Sequence, residues 1–303
     1  MVVKSETKPM SERNDHLAVS ITPNSILNPA NSNGHKNGDR WDEIEIANLV
    51  GFQKVRFHAL QPNNYAWRTE AKANMYRGDF RFGEFDSAIN EAHQYGFDLV
   101  LNILGMPAYS VPYRGVYTTK EGGDVGNYEP NDMAAWSAYV EQIVKRYKNI
   151  CNKWEIWNEP HVYGGSIFWY GNVEAYARIQ KTGYDVVKKY QPGDSSMVTL
   201  GGIGARRYVP FYRELLDIDG AYGTYDVLAM HGWDLDPWTY NNIAEEKGFE
   251  PKQYVTTEGH HNLRRSDSEY IKNDEKEEAI RGIGEFLKDF KYGALFTTMF
   301  SIG

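Results

Sequence analysis

The segments KWEIWNEP (153–160) and QYVTTEG (253–259) share a pattern. Each is a short run of aromatic and β-branched residues, which reads as a strand, and each ends on a carboxylate, Glu159 or Glu258. A strand that only packed would have no use for that carboxylate, or for the amide of Asn158 beside it. Other strand-like runs also carry polar residues near their ends: KVRFHAL offers Arg56 and His58, DLVLNIL offers Asn102, and DVLAMH offers His231. Two carboxylates facing each other suit acetal hydrolysis. One stays protonated and donates to the leaving oxygen; the other stays ionised and attacks the anomeric carbon. A cation such as Arg56 would favour the ionised partner. A single strand-end glutamate is more often a surface or ion-paired residue, so it is the pair, flanked by Asn, Arg and His, that points to chemistry.

The elements that must position these residues alternate along the chain. Strand-like runs fall at 17–22, 54–60, 98–104, 153–157, 197–203, 226–231, 253–258 and 294–300. Between them run helical periodicities: Phe85, Ala88, Ile89 and Ala92; Trp136, Tyr139, Val140, Ile143 and Tyr147; Val173, Tyr176, Ala177, Tyr184 and Val187; Ile280, Ile283, Leu287 and Phe290. Asn131 and Asp132 sit where an N-cap is wanted before Met133. Gly-Phe recurs at 51–52, 96–97 and 248–249, each time where a helical pattern yields to a strand, as a left-handed helix stop requires. Alternation of this kind implies parallel strands and right-handed crossovers. The expected fold class is α/β, a (β/α)8 TIM barrel over residues 16–303, after a polar leader at 1–15. An open doubly wound sheet is the rival, but no Gly-rich phosphate turn follows the first strand. No eighth helix follows the eighth strand within the chain.

In such a barrel the active site lies at the C-terminal ends of the strands. Period-two alternation then assigns faces. With Glu159 inward, Trp157 and Glu155 also point into the barrel, while Ile156 and Trp154 meet the helices. With Arg56, His58 and His231 inward, Val55, Phe57, Leu228 and Met230 face outward. Apolar side chains fall on the helix side and polar ones inside, as in a lined site.

Composition excludes several classes. A net charge of −8 and the absence of a basic stripe argue against nucleic acid. No apolar run is long enough to span a membrane. Cys151, the lone cysteine, forms no intrachain disulfide. The start, MVVKSETKPMSERND, has no signal-peptide core, so either the chain is not exported by that route or a signal has been removed. An extracellular location is the expectation and a cytoplasmic one the alternative. His58, His231, His260 and His261 show no metal-ligand spacing, and the last two are adjacent and point differently. No metal and no cofactor are expected. The aromatic content, 14% with 22 Tyr and 8 Trp, exceeds what a core alone usually needs and hints at a sugar cleft. Tyr109, Tyr113, Tyr117 and Tyr128 lie in a long connection at 105–132, Trp233 and Trp238 follow His231, and His161 and Tyr163 follow Glu159. Each ring singly is more often loop packing, but together they would suit several sugar units in an open, endo-acting cleft.

The elements WEIWNEP and VTTEG resemble those of clan A retaining glycoside hydrolases, and the likeness runs from GFQKVRFH onward. With Phe168-Trp169 and a long helix from Asn172, the chain is most similar to family 39-type enzymes, with family 5-type next. The resemblance implies a double displacement on a β-linked oligo- or polysaccharide, with Glu159 as general acid/base and Glu258 as nucleophile. It implies that Asn158 bonds the sugar 2-hydroxyl, that Arg56 holds the nucleophile ionised and that His231 lines the subsite between them. His58, Asn102, Tyr109, His161, Trp233 and Trp238 complete the expected substrate contacts. Clan members usually end strand eight on a Trp; here Phe300, Ser301, Ile302 and Gly303 stand instead. That departure keeps open a non-catalytic carbohydrate-binding barrel.

Overall fold

A computed structural model describes residues 14–21, 43–60, 80, 82–106, 127–160, 168–204, 206–232, 237–259, 283–284 and 286–300. Strands and helices alternate: β1 (Asn14–Ile21), α1 (Glu43–Val50), β2 (Phe52–Leu60), α2 (Gly83–Gln94), β3 (Asp98–Ile103), α3 (Met133–Tyr147), β4 (Cys151–Ile156). Then follow α4 (Val173–Tyr190), β5 (Met197–Leu200), α5 (Val209–Asp217), β6 (Leu228–His231), α6 (Pro237–Glu246), β7 (Tyr254–Gly259) and β8 (Thr297–Phe300). All eight strands pair in parallel, in the order β5-β4-β3-β2-β1-β8-β7-β6. The isolated parallel bridges Thr199–Val227 and Ile203–Met230 bring β5 to β6 and close the ring. The fold is the expected (β/α)8 barrel.

The helices form where the periodicities place them. Asp132 caps α3 by accepting from the Ala134 N–H at 3.0 Å, and Asn172 caps α4 by accepting from Ala175 N–H at 2.8 Å. Gly51, Gly96 and Gly248 take φ of 91°, 76° and 83°, the left-handed stop that the Gly-Phe pairs announce. The buried faces of α3 (Trp136, Tyr139, Val140, Ile143) and α4 (Val173, Tyr176, Ile179) join one core with the outward side chains of the sheet, among them Val55, Phe57, Leu101, Trp154, Ile156, Leu228 and Met230. Each such aliphatic side chain contributes about 2 kcal/mol by leaving water. Along residues 283–291 the expectation differs from the outcome: Ile283 and Leu287 are 56% and 63% exposed.

Inside the barrel a small apolar cluster, Ala18, Val100, Val227, Ala229, Val255 and Phe296, fills the lower part. Lateral register places Ser20 beside Arg56, Asn102 beside Glu155, and Glu155 beside Thr199, on that same inner face. A polar layer therefore sits on the apolar floor, nearer the C-terminal ends of the strands. Among the described residues no helix is long and apolar enough to cross a membrane.

Candidate active site

The end of β4 departs from strand geometry in a way that matters for the carboxylate. Simple alternation sends Trp157 into the barrel; the structure corrects this. Its φ is +72°, and its ring turns outward, edge-on to Trp136 (centroids 5.7 Å) and Trp169 (5.2 Å). Its Nε1 donates to the Phe168 carbonyl at 2.8 Å. Glu159 also has a positive φ, +42°, and these two are the positive-φ non-glycine residues among the described ones. Such conformations cost on the order of 1–3 kcal/mol each and persist only where the surroundings fix them. Here Trp157 N–H donates to the Ile103 carbonyl at 2.8 Å, and Asn102 Nδ2 donates to the Trp157 carbonyl at 2.7 Å. Gly201 leaves room for the turn: a Cβ there would stand 2.7–2.9 Å from the backbone of Trp157 and Asn158.

The consequence is that two consecutive residues, Asn158 and Glu159, both face the site. Asn158 Oδ1 accepts from Arg56 Nη2 at 2.9 Å, and Glu159 Oε1 lies 2.9 Å from His231 Nδ1. A regular strand would have sent them to opposite faces.

β7 achieves the same with a different device. Its register against β6 slips between Met230–Thr256 and His231–Glu258, leaving Thr257 as an extra residue, a bulge. Thr257 Oγ1 donates inward to Glu155 Oε1 at 2.9 Å while the next residue, Glu258, also points inward. Glu258 Oε1 accepts from Arg56 Nη1 at 3.0 Å, and Oε2 stands 3.5 Å from His231 Nδ1. Burial alone would push this carboxyl up. His231, the hydrogen bond from His58 and the charge of Arg56 outweigh burial and hold it far below the usual carboxylate range, so Glu258 is ionised.

Arg56, fully buried in β2, links these parts. Nε donates to Glu155 Oε2 at 2.6 Å, and Nη1 also reaches Ser20 Oγ at 3.3 Å. Burial opposes its charge, but Glu155 and Glu258 more than offset that and raise its pKa. His58 Nδ1 stands 3.1 Å from Arg56 Nη1 and 3.3 Å from Glu258 Oε1; the tautomer that carries the hydrogen on Nδ1 donates to the carboxylate, and the other accepts from the guanidinium. The ring of Phe168 meets His58 edge-on at 6.2 Å. His231 rests on Gly202, where a Cβ would overlap its Nε2 and Cδ2. Burial pulls the His231 pKa down, but Glu258 and the hydrogen bond to Glu159 outweigh it, and the net direction is upward.

One oxygen of Glu159, one of Glu258 and one ring nitrogen of His231 lie within 4.8 Å of one another. Such a trio could ligate a metal ion, but Arg56 already places a cation on Glu258. Of the residues expected from sequence, Arg56, His58, Asn158, Glu159, His231 and Glu258 converge here. Asn102 is fully buried and directs Nδ2 at backbone, beneath the site. Trp238 lies in the first turn of α6 with its side chain 53% exposed. Tyr109, Tyr113, Tyr117, His161, Tyr163, Trp233, His260, His261 and residues 301–303 lie outside the described residues, as does the side chain of Phe300. Tyr128 stacks on Tyr170 at 4.9 Å. Sequence reasoning turned Glu155 inward without giving it a role, and it missed Thr257 and the Gly201–Gly202 pair. The double glycine in MVTLGGI, where a buried strand ends, was the available signal.

No family model matches the sequence. The chain is similar to mannan endo-1,4-beta-mannosidase A of Emericella nidulans, 31% identical over 133 residues, which cover 40% of this chain and 33% of that protein. Among solved structures it resembles a family 39 glycoside hydrolase from Bacteroides cellulosilyticus WH2 (TM-score 0.59, 17% identity, 96% of this chain and 57% of that one). It also resembles a monomeric beta-xylosidase from Caulobacter crescentus CB15 (TM-score 0.67, 14% identity, 94% and 59%). A family 30 subfamily 8 xylanase, Xyn30A, from Clostridium acetobutylicum is similar as well (TM-score 0.60, 14% identity, 95% and 64%). The fold is therefore that of glycoside hydrolase barrels, and the chain spans about three-fifths of the length of these solved structures.

Proposed function

We propose that this barrel is the catalytic unit of a retaining β-glycoside hydrolase. The observation that carries the reading is the spacing of the two glutamates. Carboxyls about 5–5.5 Å apart suit direct nucleophilic attack, whereas about 6.5–9.5 Å leaves room for an intervening water and gives inversion. One oxygen of Glu159 and one of Glu258 lie within 4.8 Å of each other, and both face His231 Nδ1, at 2.9 and 3.5 Å; so close an approach of the nearest oxygens favours the narrower arrangement.

The roles follow from the surroundings. Glu258, held ionised by Arg56 and the histidines, attacks the anomeric carbon as the bond to the leaving oxygen breaks, and Glu159 gives its proton to that oxygen. Water then attacks the same carbon, passes a proton to Glu159 and releases Glu258. His231 Nδ1, between the two carboxylates, lies within reach of whichever carries the greater charge at each stage. The buried Nδ2 of Asn158 has no hydrogen-bond partner among the described residues. Such a donor is costly unless satisfied, and a sugar hydroxyl would satisfy it. The mannanase relative puts β-1,4-linked mannan first among substrates to examine, with xylan and aryl β-glycosides beside it.

The test is hydrolysis of that panel, with the first-formed anomer followed by proton NMR and the intermediate trapped by a 2-deoxy-2-fluoro glycoside. Retention, with the label on Glu258 in peptide mass spectra, is the expected result. An inverted first product, or a label elsewhere, overturns the reading.

A further inference from the structure

We propose that Glu155 is a positioning residue for the glutamate pair, acting through Arg56 and through the backbone on which His231 rests; this rests on the reading of function above. Glu155 is fully buried and sits four positions before Glu159 on β4. Its Oε2 accepts from Arg56 Nε at 2.6 Å, and its Oε1 accepts from Thr257 Oγ1 at 2.9 Å and Gly202 N–H at 3.2 Å. Each contact leads to a different part of the site. Arg56 carries Nη1 to Glu258 and Nη2 to Asn158. Thr257 is the bulged residue that precedes Glu258. Gly202 is the surface beneath the His231 ring.

A buried ion pair is weak evidence for a stability role, because well-packed apolar side chains of like volume often serve as well. What a carboxylate does here, and an apolar group cannot, is fix the rotation of a guanidinium. With Nε anchored, the remaining N–H edge has one direction left to face, toward Glu258 and Asn158. The neighbours also demand an acid and not an amide. All three groups around Glu155 are donors, and a carboxylate accepts at every position while an amide must turn its own donors on at least one of them.

The test is Glu155→Gln in the full chain, on whichever substrate the wild type hydrolyses fastest. We expect kcat to fall about a hundredfold or more, as misplacement of reacting groups does, with KM within about threefold. We also expect the acidic limb of the kcat/KM profile to move up in pH, because a loosened Arg56 no longer keeps Glu258 ionised. A purely structural role would lower the melting temperature and leave kcat per folded molecule and the pH limb in place. Thr257→Val removes one donor to Glu155 without disturbing the Arg56 contact, and it should lower kcat by a smaller factor at unchanged KM; it decides the matter if Glu155→Gln does not fold. Wild-type kcat and pH limb in the folded variants overturn the inference and spare the reading of function. A wild type silent on every substrate overturns both.

Discussion

Asn102 Nδ2 donates to the carbonyl of Trp157 at 2.7 Å, and that bond holds the left-handed turn by which Asn158 and Glu159 come to share a face. Asn102 touches the backbone beneath the carboxylate pair, not the pair itself. Asn102→Ala leaves the Trp157 carbonyl short of a donor in a buried setting and should destabilise the protein by about 1–3 kcal/mol. Activity should fall further than stability does, through kcat. Urea denaturation together with steady-state kinetics would check this, and unchanged kcat would show that the turn holds without Asn102.

Gly202→Ala places a Cβ where His231 Nε2 and Cδ2 now lie. The imidazole must swing away from Glu159, and kcat/KM should drop by about a hundredfold, the scale of a small misplacement at reacting groups. Gly201→Ala instead drives a Cβ against the backbone of Trp157 and Asn158 at 2.7–2.9 Å. Backbone cannot step aside as a ring can, so this variant should also lose about 1–3 kcal/mol of stability. Parallel kinetics and thermal melts would separate the two.

The His231 pKa is raised in the folded protein because Glu258 and Glu159 outweigh its burial. Against an unfolded value of about 6.5, its contribution to stability is fully present below that pH. It is lost as pH rises through the folded value. The difference in unfolding free energy between wild type and His231→Asn should therefore shrink as pH rises above about 6.5. A difference that grows instead would reverse the assigned sign.

Cys151 is 4% exposed, and burial pushes its thiol up to about 12. The thiolate is the reactive form, so iodoacetamide should leave native protein unlabelled near pH 8 and modify Cys151 only after denaturant is added. Mass spectrometry of both samples reads the outcome, and rapid labelling of the native chain would contradict the burial.

Much of this architecture is legible in the residues because strand alternation and helix periodicity repeat. Val55 and Phe57 outward with Arg56 inward needs nothing more than period two, and Gly51, Gly96 and Gly248 mark helix ends because few residues tolerate their φ. The site was less legible where that periodicity breaks. Trp157 was expected inside and lies outside because its φ changes sign, a property set by Asn102, Ile103 and Gly201, residues distant in the chain. Thr257 and Glu258 both turn inward because of a bulge, which is a relation between two strands and not a feature of either. Glu155 was placed correctly by alternation, but its importance depends on Arg56 and Gly202 arriving beside it. The exposed Ile283 and Leu287 show the converse: periodicity marks an apolar face without saying what covers it.

The closure between β5 and β6 has a mechanical meaning. Beside the bridges Thr199–Val227 and Ile203–Met230, backbone bonds cross this joint from Asp226 N–H to the Val198 carbonyl (2.7 Å), from Ile203 N–H to the Ala229 carbonyl (3.2 Å) and from His231 N–H to the Ile203 carbonyl (3.0 Å). A ring so fastened is a hoop and not an open sheet rolled up: a strand end on one side of the joint cannot shift without drawing on its neighbour. The joint runs between the strands that lead to Gly201–Gly202 and to His231, and the His231 N–H is itself one of its fastenings. The imidazole that stands between the two carboxylates is thus pinned at its own backbone by the bond that completes the hoop.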